Sequence, residues 1–205
     1  LVDVGGATTD VYSIARGLPT RDGVNMVGLP EPYAKRTVEG DLGLYHNLDT
    51  LTSIAEQESL VSEESKNELL EKVQELRSVL SIPEGEVQTH YQLMLSKLAV
   101  KTAVDRHVGK LQSVVTHNGE VWFQRGKDLT EVKTVIGAGG PVVFSANSRQ
   151  VLEGAVFQQE SPNVLKPKEP EFYIDQRYIL FAIGLLAQSN PVKAFRIIRK
   201  YLVQI

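Results

Sequence analysis

The sequence predicts an α/β fold: a mixed sheet flanked by helices, with a small helical insertion. Short apolar and β-branched runs fall towards both ends of the chain, and a stretch with helical apolar periodicity and few glycines lies between them. Glycine-containing turns follow the apolar runs, so strands alternate with helices in one lobe. That lobe takes residues 1–48 and 86–205, and residues 49–85 form the helical inserted subdomain. A chain of 205 residues can bury one substantial core, or build one domain with a smaller lobe inserted in it.

The elements follow in order. Residues 1–4 and 11–15 flank Gly5-Gly6-Ala7-Thr8-Thr9-Asp10 and read as a β-hairpin. Residues 16–35 hold Gly17, Pro19, Gly23, Gly28, Pro30 and Pro32 and read as loop. Leu69, Val73, Leu76 and Leu80 recur at spacings of three and four, with Ser62 as N-cap and Pro83 with Gly85 as the stop. Val87, Tyr91, Met94, Leu95, Leu98, Thr102 and Val108 mark one face of a longer helix that ends at Gly109, with His107 and Lys110 near its C-terminus. Asn118-Gly119 between runs rich in β-branched and aromatic residues signals a second hairpin. "VKTVIGAGGPVVF" is a strand entering a glycine turn, "SRQVLEGAVF" a short helix, and "SPNVLKPKEPE" a proline-broken loop. "QRYILFAIGLLAQ" and "VKAFRIIRKYL" are two closing helices, and there is no internal repeat.

Composition excludes several classes of function. With 22 basic and 25 acidic residues the formal charge is −3, which gives no electrostatic reason to expect nucleic acid or an anionic membrane as partner. The absence of cysteine removes disulfide scaffolds, thiolate metal sites and a cysteine nucleophile. No apolar stretch approaches the ~18–20 residues that span a bilayer, and there is no signal-peptide pattern at the N-terminus, so a cytoplasmic location is expected.

The chemistry lies in the glycine turns. Backbone N–H groups hold a phosphate chain best, and glycine permits the close approach. Threonine hydroxyls add neutral donors, and carboxylates at the turn's ends hold Mg²⁺ through its water shell. The run D-x-G-G-x-T-T-D, from Asp3 to Asp10, has all three components, although the same residues also suit a purely structural hairpin. The second turn, with Gly137, Gly139 and Gly140, lets the backbone lie against a phosphate or a planar group. It has no P-loop lysine and departs from the dinucleotide fingerprint. "EGDLG", with Glu39, Gly40, Asp41 and Gly43 ahead of a helix start, is a weaker signal.

The order of hairpin, acidic glycine turn, helical insertion, then strand and glycine turn resembles the second half of the actin, heat-shock chaperone and sugar-kinase ATPase superfamily. Its lobes have the ribonuclease H-like fold. That superfamily's D-x-G-G-G-T-x-D phosphate loop is matched by Asp3, Gly5, Gly6, Thr8 and Asp10, with Ala7 replacing the third glycine. "DVGGATTDVYSI", "PEPYAKRTVEGDLGLYHN", "RGKDLTEVKTVIGAGGPVV" and "FYIDQRYILFAIGLLAQ" narrow the resemblance. They resemble the accessory proteins of adenosylcobalamin-dependent glutamate mutase, called MutL or GlmL, and their relatives beside ornithine aminomutase. The chain shows nothing of the DNA mismatch repair protein that shares the MutL name.

The resemblance implies an ATP-dependent, chaperone-like reactivating factor that releases damaged cobalamin from its mutase. Its cofactor would be ATP or ADP with Mg²⁺, and its partners the mutase subunits and an N-terminal lobe of its own. Asp3 and Asp10 would orient Mg²⁺ through water, with no side chain ligating it directly. Gly5, Gly6, Ala7 and Thr8 would hold phosphates, with hydroxyls from Thr8 and Thr9. Gly137, Gly139 and Gly140 would lie against adenosine, with Glu39, Gly40 and Asp41 near the ribose or base. A first phosphate loop would lie in the other lobe. The lack of an initiating methionine adds the expectation of a C-terminal half that binds nucleotide weakly and does not hydrolyse it alone. A small-molecule kinase lobe and a non-enzymatic filament or scaffold module are the alternatives.

The remaining residues carry blander expectations. His46, His90, His107 and His117 have no metal spacing and read as surface or helix-end residues. Arg125, Lys127, Asp128 and Glu131 read as a solvated charged loop, and so do Lys193, Arg196, Arg199 and Lys200 as a helix face. Trp122 reads as core or half-buried, and Ala182, Gly184 and Ala187 make a helix face that another helix can approach closely.

Overall fold

The computed structural model describes residues 1–78, 86–117 and 119–205. Leu80, Pro83, Gly85 and Asn118, to which helix and turn roles were assigned above, lie outside the described residues, as does the side chain of Val87. The chain opens with strands β1 (Val2–Val4) and β2 (Thr9–Ile14), followed by β3 (Val24–Val27) and β4 (Ala34–Glu39). Helices α1 (Leu48–Gln57), α2 (Glu63–Ser78) and α3 (Glu86–His107) come next, then the hairpin β5 (Lys110–Thr116) and β6 (Gly119–Arg125). The chain continues as β7 (Thr134–Ala138), α4 (Gly140–Val143), α5 (Ser148–Leu152) with a 3₁₀ turn Glu153–Ala155, and β8 (Glu171–Ile174). Helices α6 (Leu180–Ser189) and α7 (Pro191–Tyr201) and the short strand β9 (Val203–Gln204) close it.

Six strands form a mixed sheet in the order β4-β2-β1-β7-β8-β9, and three form a second sheet, β3-β6-β5. The hairpin β1–β2 is antiparallel with Val2 opposite Val11, Asp3 opposite Asp10 and Val4 opposite Thr9. Because side chains alternate across a strand, this register sends Val2, Val4 and Val11 to one face and Asp3 and Asp10 to the other. The valine face is buried with Leu95, Leu98, Ala99 and Ala103 of α3, which runs beneath it. Leu48 and Leu51 of α1, Leu69 and Val73 of α2 and Leu152 of α5 join the same cluster. Each fully buried leucine contributes about 2 kcal/mol by its removal from water. Helix α2 starts where Ser62 Oγ accepts the Ser65 N–H at 3.3 Å, the cap read from the sequence.

The structure corrects three readings. The segment 16–35 is not all loop: it contains β3, which pairs in parallel with β6. Its glycines and prolines lie outside the four-residue strand, so the punctuation of the segment hid a short element. In the charged loop, Arg125 and Glu131 are exposed, but Lys127 is fully buried and Asp128 nearly so. Lys127 Nζ donates to the carbonyls of Pro32 (3.1 Å) and Tyr33 (2.9 Å), and Asp128 accepts from Thr20 and Thr130. These two charges tie distant loops together instead of facing water. His107 ends α3 as expected but is fully buried, its ring nitrogens within 2.8 Å of Ser13 Oγ and Thr37 Oγ1. Trp122 is half-buried with the Arg21 guanidinium 4.3 Å above its ring. The small-residue face of α6 is not filled from within the lobe: Ala182 and Gly184 are exposed, and nothing lies within 4 Å of a Cβ added at Gly184.

Candidate functional site

Strands β1 and β7 are parallel neighbours, with Val2 opposite Gly137 and Asp3 opposite Ala138. Their carboxyl ends therefore open at one edge of the sheet, where ligands of α/β sheets bind. The two glycine turns, some 130 residues apart in sequence, meet at that edge.

The first turn is closed by Gly5 N–H donating to Thr8 O at 2.9 Å. Its carbonyls face the segment that follows β4: Leu44 N donates to Gly5 O (3.0 Å), and Tyr45 N (2.9 Å) and His46 N (3.0 Å) donate to Gly6 O. Asn47 Nδ2 spans Ala7 O at 2.9 Å and Gly40 O at 3.0 Å. Gly43 packs so closely against this turn that an added Cβ would overlap the Ala7 carbonyl. With the carbonyls engaged behind the turn, the N–H groups of Gly6, Ala7 and Thr8 meet no acceptor among the described residues. Successive unpaired amides at a turn form an anion-receptive array. Thr8 Oγ1 lies on the same side and donates to Asp10 Oδ2 at 3.0 Å, whereas Thr9 is buried and donates to Leu42 O.

At the second turn, Gly139 takes φ 88° where the chain leaves β7 for α4. A Cβ there would overlap Val4 O and stand 2.8 Å from Asp3 Oδ1, so only glycine lets β1 and β7 keep this approach. Gly140 is half-open at the edge, while Gly137 is buried against Val142 and Leu152, where its missing side chain serves packing.

Carboxylates converge between the turns. Burial pushes the Asp3 carboxyl up, and the charges of Asp10 and Asp175 push it further. Asp10 is held by Arg36 of β4, with Nη2 at 2.8 Å and Nε at 3.1 Å from Oδ1. The Arg36 guanidinium also lies 5.3 Å from the ring centre of Tyr12, its cross-strand neighbour. Asp175, buried just after β8, accepts the N–H groups of Ile179 (3.1 Å) and Leu180 (2.9 Å) at the start of α6. Among the described residues no group of three or more His, Cys, Asp or Glu side chains is placed to hold a metal directly. An ion here would be held mainly through its waters, which suits Mg²⁺.

Glu39 and Asp41 take a different place. Arg106 of α3 reaches Glu39 Oε2 at 2.8 Å and both Asp41 oxygens at 2.7 and 3.0 Å, holding the Asp41 carboxyl below the usual carboxylate range. This clamp fixes the acidic turn beside the 43–47 brace, with Gly40 connected to the first glycine turn through Asn47. Sequence reading missed Arg36, Asn47, Arg106 and Asp175. Only Asp175, an acidic residue just before an apolar helical run, carried a local signal. Two cavities of about 810 and 660 Å³ lie away from these turns, the larger at the opposite ends of β1 and β7 and the smaller against α3.

Comparison with known proteins gives a consistent family. The family described as "MutL protein" matches residues 1–202. A curated relative named "Protein MutL", from Clostridium tetanomorphum, is 43% identical over 208 residues, covering 100% of this chain and 45% of the relative. The chain thus spans less than half the length of that relative. No solved structure matches significantly. Among the described residues no helix is long and apolar enough to cross a membrane. With nearly its whole length matched, the chain belongs to the MutL protein family.

Proposed function

We propose that this chain is the ATP-binding lobe of an actin-like reactivating factor, which uses ATP to free damaged cobalamin from an adenosylcobalamin-dependent glutamate or ornithine mutase. The observation that carries the reading is the meeting of the two glycine turns across β1 and β7, with unpaired amides on one and the Asp3 and Asp10 carboxylates between them. The residues suit Mg²⁺–nucleotide. Gly6, Ala7 and Thr8 offer N–H donors to phosphate oxygens, Thr8 adds a hydroxyl, and Asp3 and Asp10 accept from metal-bound water. Gly139 holds β1 and β7 together, and the half-open Gly140 leaves room for the ligand's body beside it. Bound ATP supplies the free energy of hydrolysis, and closure on it by a second lobe would couple that energy to a change in the partner. The edge is open, in keeping with a site completed by another lobe.

Calorimetric titration of the chain with Mg–ADP and Mg–ATP tests the reading. Saturable binding at millimolar nucleotide, weakened by Thr8→Val and without appreciable hydrolysis, is the expected result. No binding of either nucleotide would sink it. In the full-length protein, mutase capture that differs between ATP and ADP supports the reactivating role, while a phosphorylated small-molecule product would assign the chain to a kinase instead.

A further inference from the structure

We propose that Tyr178 contacts the ligand of the glycine-turn site, its hydroxyl donating a hydrogen bond to an oxygen of the nucleotide where it crosses Gly139 and Gly140. The assignment rests on the nucleotide reading above and adds a contact residue to it.

Tyr178 adopts φ 53°, and among the described residues only Ser59 shares a positive φ outside glycine. A bulky side chain in the left-handed region is strained, and such strain persists only where the surroundings enforce it. Here Asp175 enforces it. Its N–H donates to Gly137 O at 2.9 Å, its carbonyl accepts Tyr178 N–H at 3.1 Å, and its carboxylate accepts the next two amides. The turn from Asp175 to Tyr178 is thereby fastened to β7 at Gly137, two residues before Gly139 packs against β1.

The consequence is where the phenol ends. Its oxygen lies 3.5 Å from the place a Gly140 Cβ would occupy, and its ring rests on Phe144 with centroids 5.9 Å apart. The residue is 38% exposed, and its hydroxyl has no hydrogen-bond partner among the described residues. Burial and the charges of Asp3 and Asp175 push the phenol's ionisation up, so it stays a neutral donor at neutral pH. A neutral donor suits this position, where a further charge would meet two carboxylates. Phosphate and ribose oxygens share the chemistry that would accept from it.

The test titrates the chain and its Tyr178→Phe and Tyr178→Gly variants with Mg–ADP, adenosine and tripolyphosphate. Tyr178→Phe keeps the ring and should weaken Mg–ADP by about tenfold, the size of one lost hydrogen bond. Weakened tripolyphosphate identifies a phosphate oxygen as acceptor, and weakened adenosine a ribose oxygen. Tyr178→Gly relieves the backbone and should keep Tm within about 3 °C of the parent while losing the same affinity. Tyr178→Phe binding Mg–ADP as tightly as the parent would overturn the assignment alone. A parent chain that binds none of the three probes would overturn the nucleotide reading with it.

Discussion

Gly43→Ala probes the brace behind the first glycine turn, from the carbonyl side opposite the turn's unpaired amides. The added Cβ would overlap the carbonyl carbon and oxygen of Ala7 and stand 2.5 Å from Gly6 O. Those atoms are backbone and cannot rotate away, so one segment must withdraw from the other by about 1 Å to reach ordinary contact. Four hydrogen bonds cross this boundary: Leu44 to Gly5, Tyr45 and His46 to Gly6, and Asn47 to Ala7. At roughly 1 kcal/mol each, losing two or three costs about 2–3 kcal/mol, and alanine's restriction of the unfolded chain returns about 0.5 kcal/mol. Gly40 is the internal control, because nothing lies within 4 Å of a Cβ added there. Urea unfolding followed by circular dichroism should show the Gly43→Ala midpoint lowered by about 1 M and the Gly40→Ala midpoint nearly unmoved. Equal midpoints for the two variants would refute the bracing argument.

Two further outcomes follow from buried charges. Burial, with Lys35 and Lys127 nearby, lowers the His107 pKa to about 4 against an ordinary 6.5. The unfolded chain therefore binds a proton that the native chain refuses between these values, so the stability held above pH 6.5 falls as pH drops towards 4, by about 3 kcal/mol in all. His107→Gln should flatten that part of the stability profile measured by urea unfolding, and an unchanged slope would count against it. Lys166, 1% exposed, places Nζ 2.6 Å from Asp105 Oδ1 and 3.2 Å from Gly154 O. Lys166→Met removes the closer partner of Asp105 and leaves Lys101 Nζ at 3.4 Å from Oδ2, so it should cost about 2 kcal/mol, and adding Asp105→Asn should recover part of the loss by removing the carboxylate that has lost its buried partner.

Local patterns made much of the framework legible. The glycines and threonines between two apolar runs marked the β1–β2 turn, the periodic leucines and Ser62 marked α2, and "VIGAGG" marked the passage from β7 to α4. These elements declare themselves because their causes lie within a few residues: alternation, capping and the conformational freedom of glycine. β4 escaped because "AKRTVE" shows no buried apolar alternation: its apolar residues, Ala34 and Val38, are exposed, and the strand exists by pairing with β2 beside it. The burial of Lys127 escaped because its partners, the carbonyls of Pro32 and Tyr33, are more than 90 residues away.

The sequence by itself marked the two glycine turns and the carboxylates and hydroxyls around the first of them: Asp3 to Asp10, and the glycines at 137, 139 and 140. Tertiary structure decided that these turns share an edge, because the parallel pairing of β1 with β7 depends on long-range packing over α3 that no local pattern encodes. It also decided which members face outward. Register sent Asp3 and Asp10 to the face opposite the valine core, packing took Gly137 and Thr9 inward, and Asp175 held Tyr178 in a conformation its own side chain disfavours.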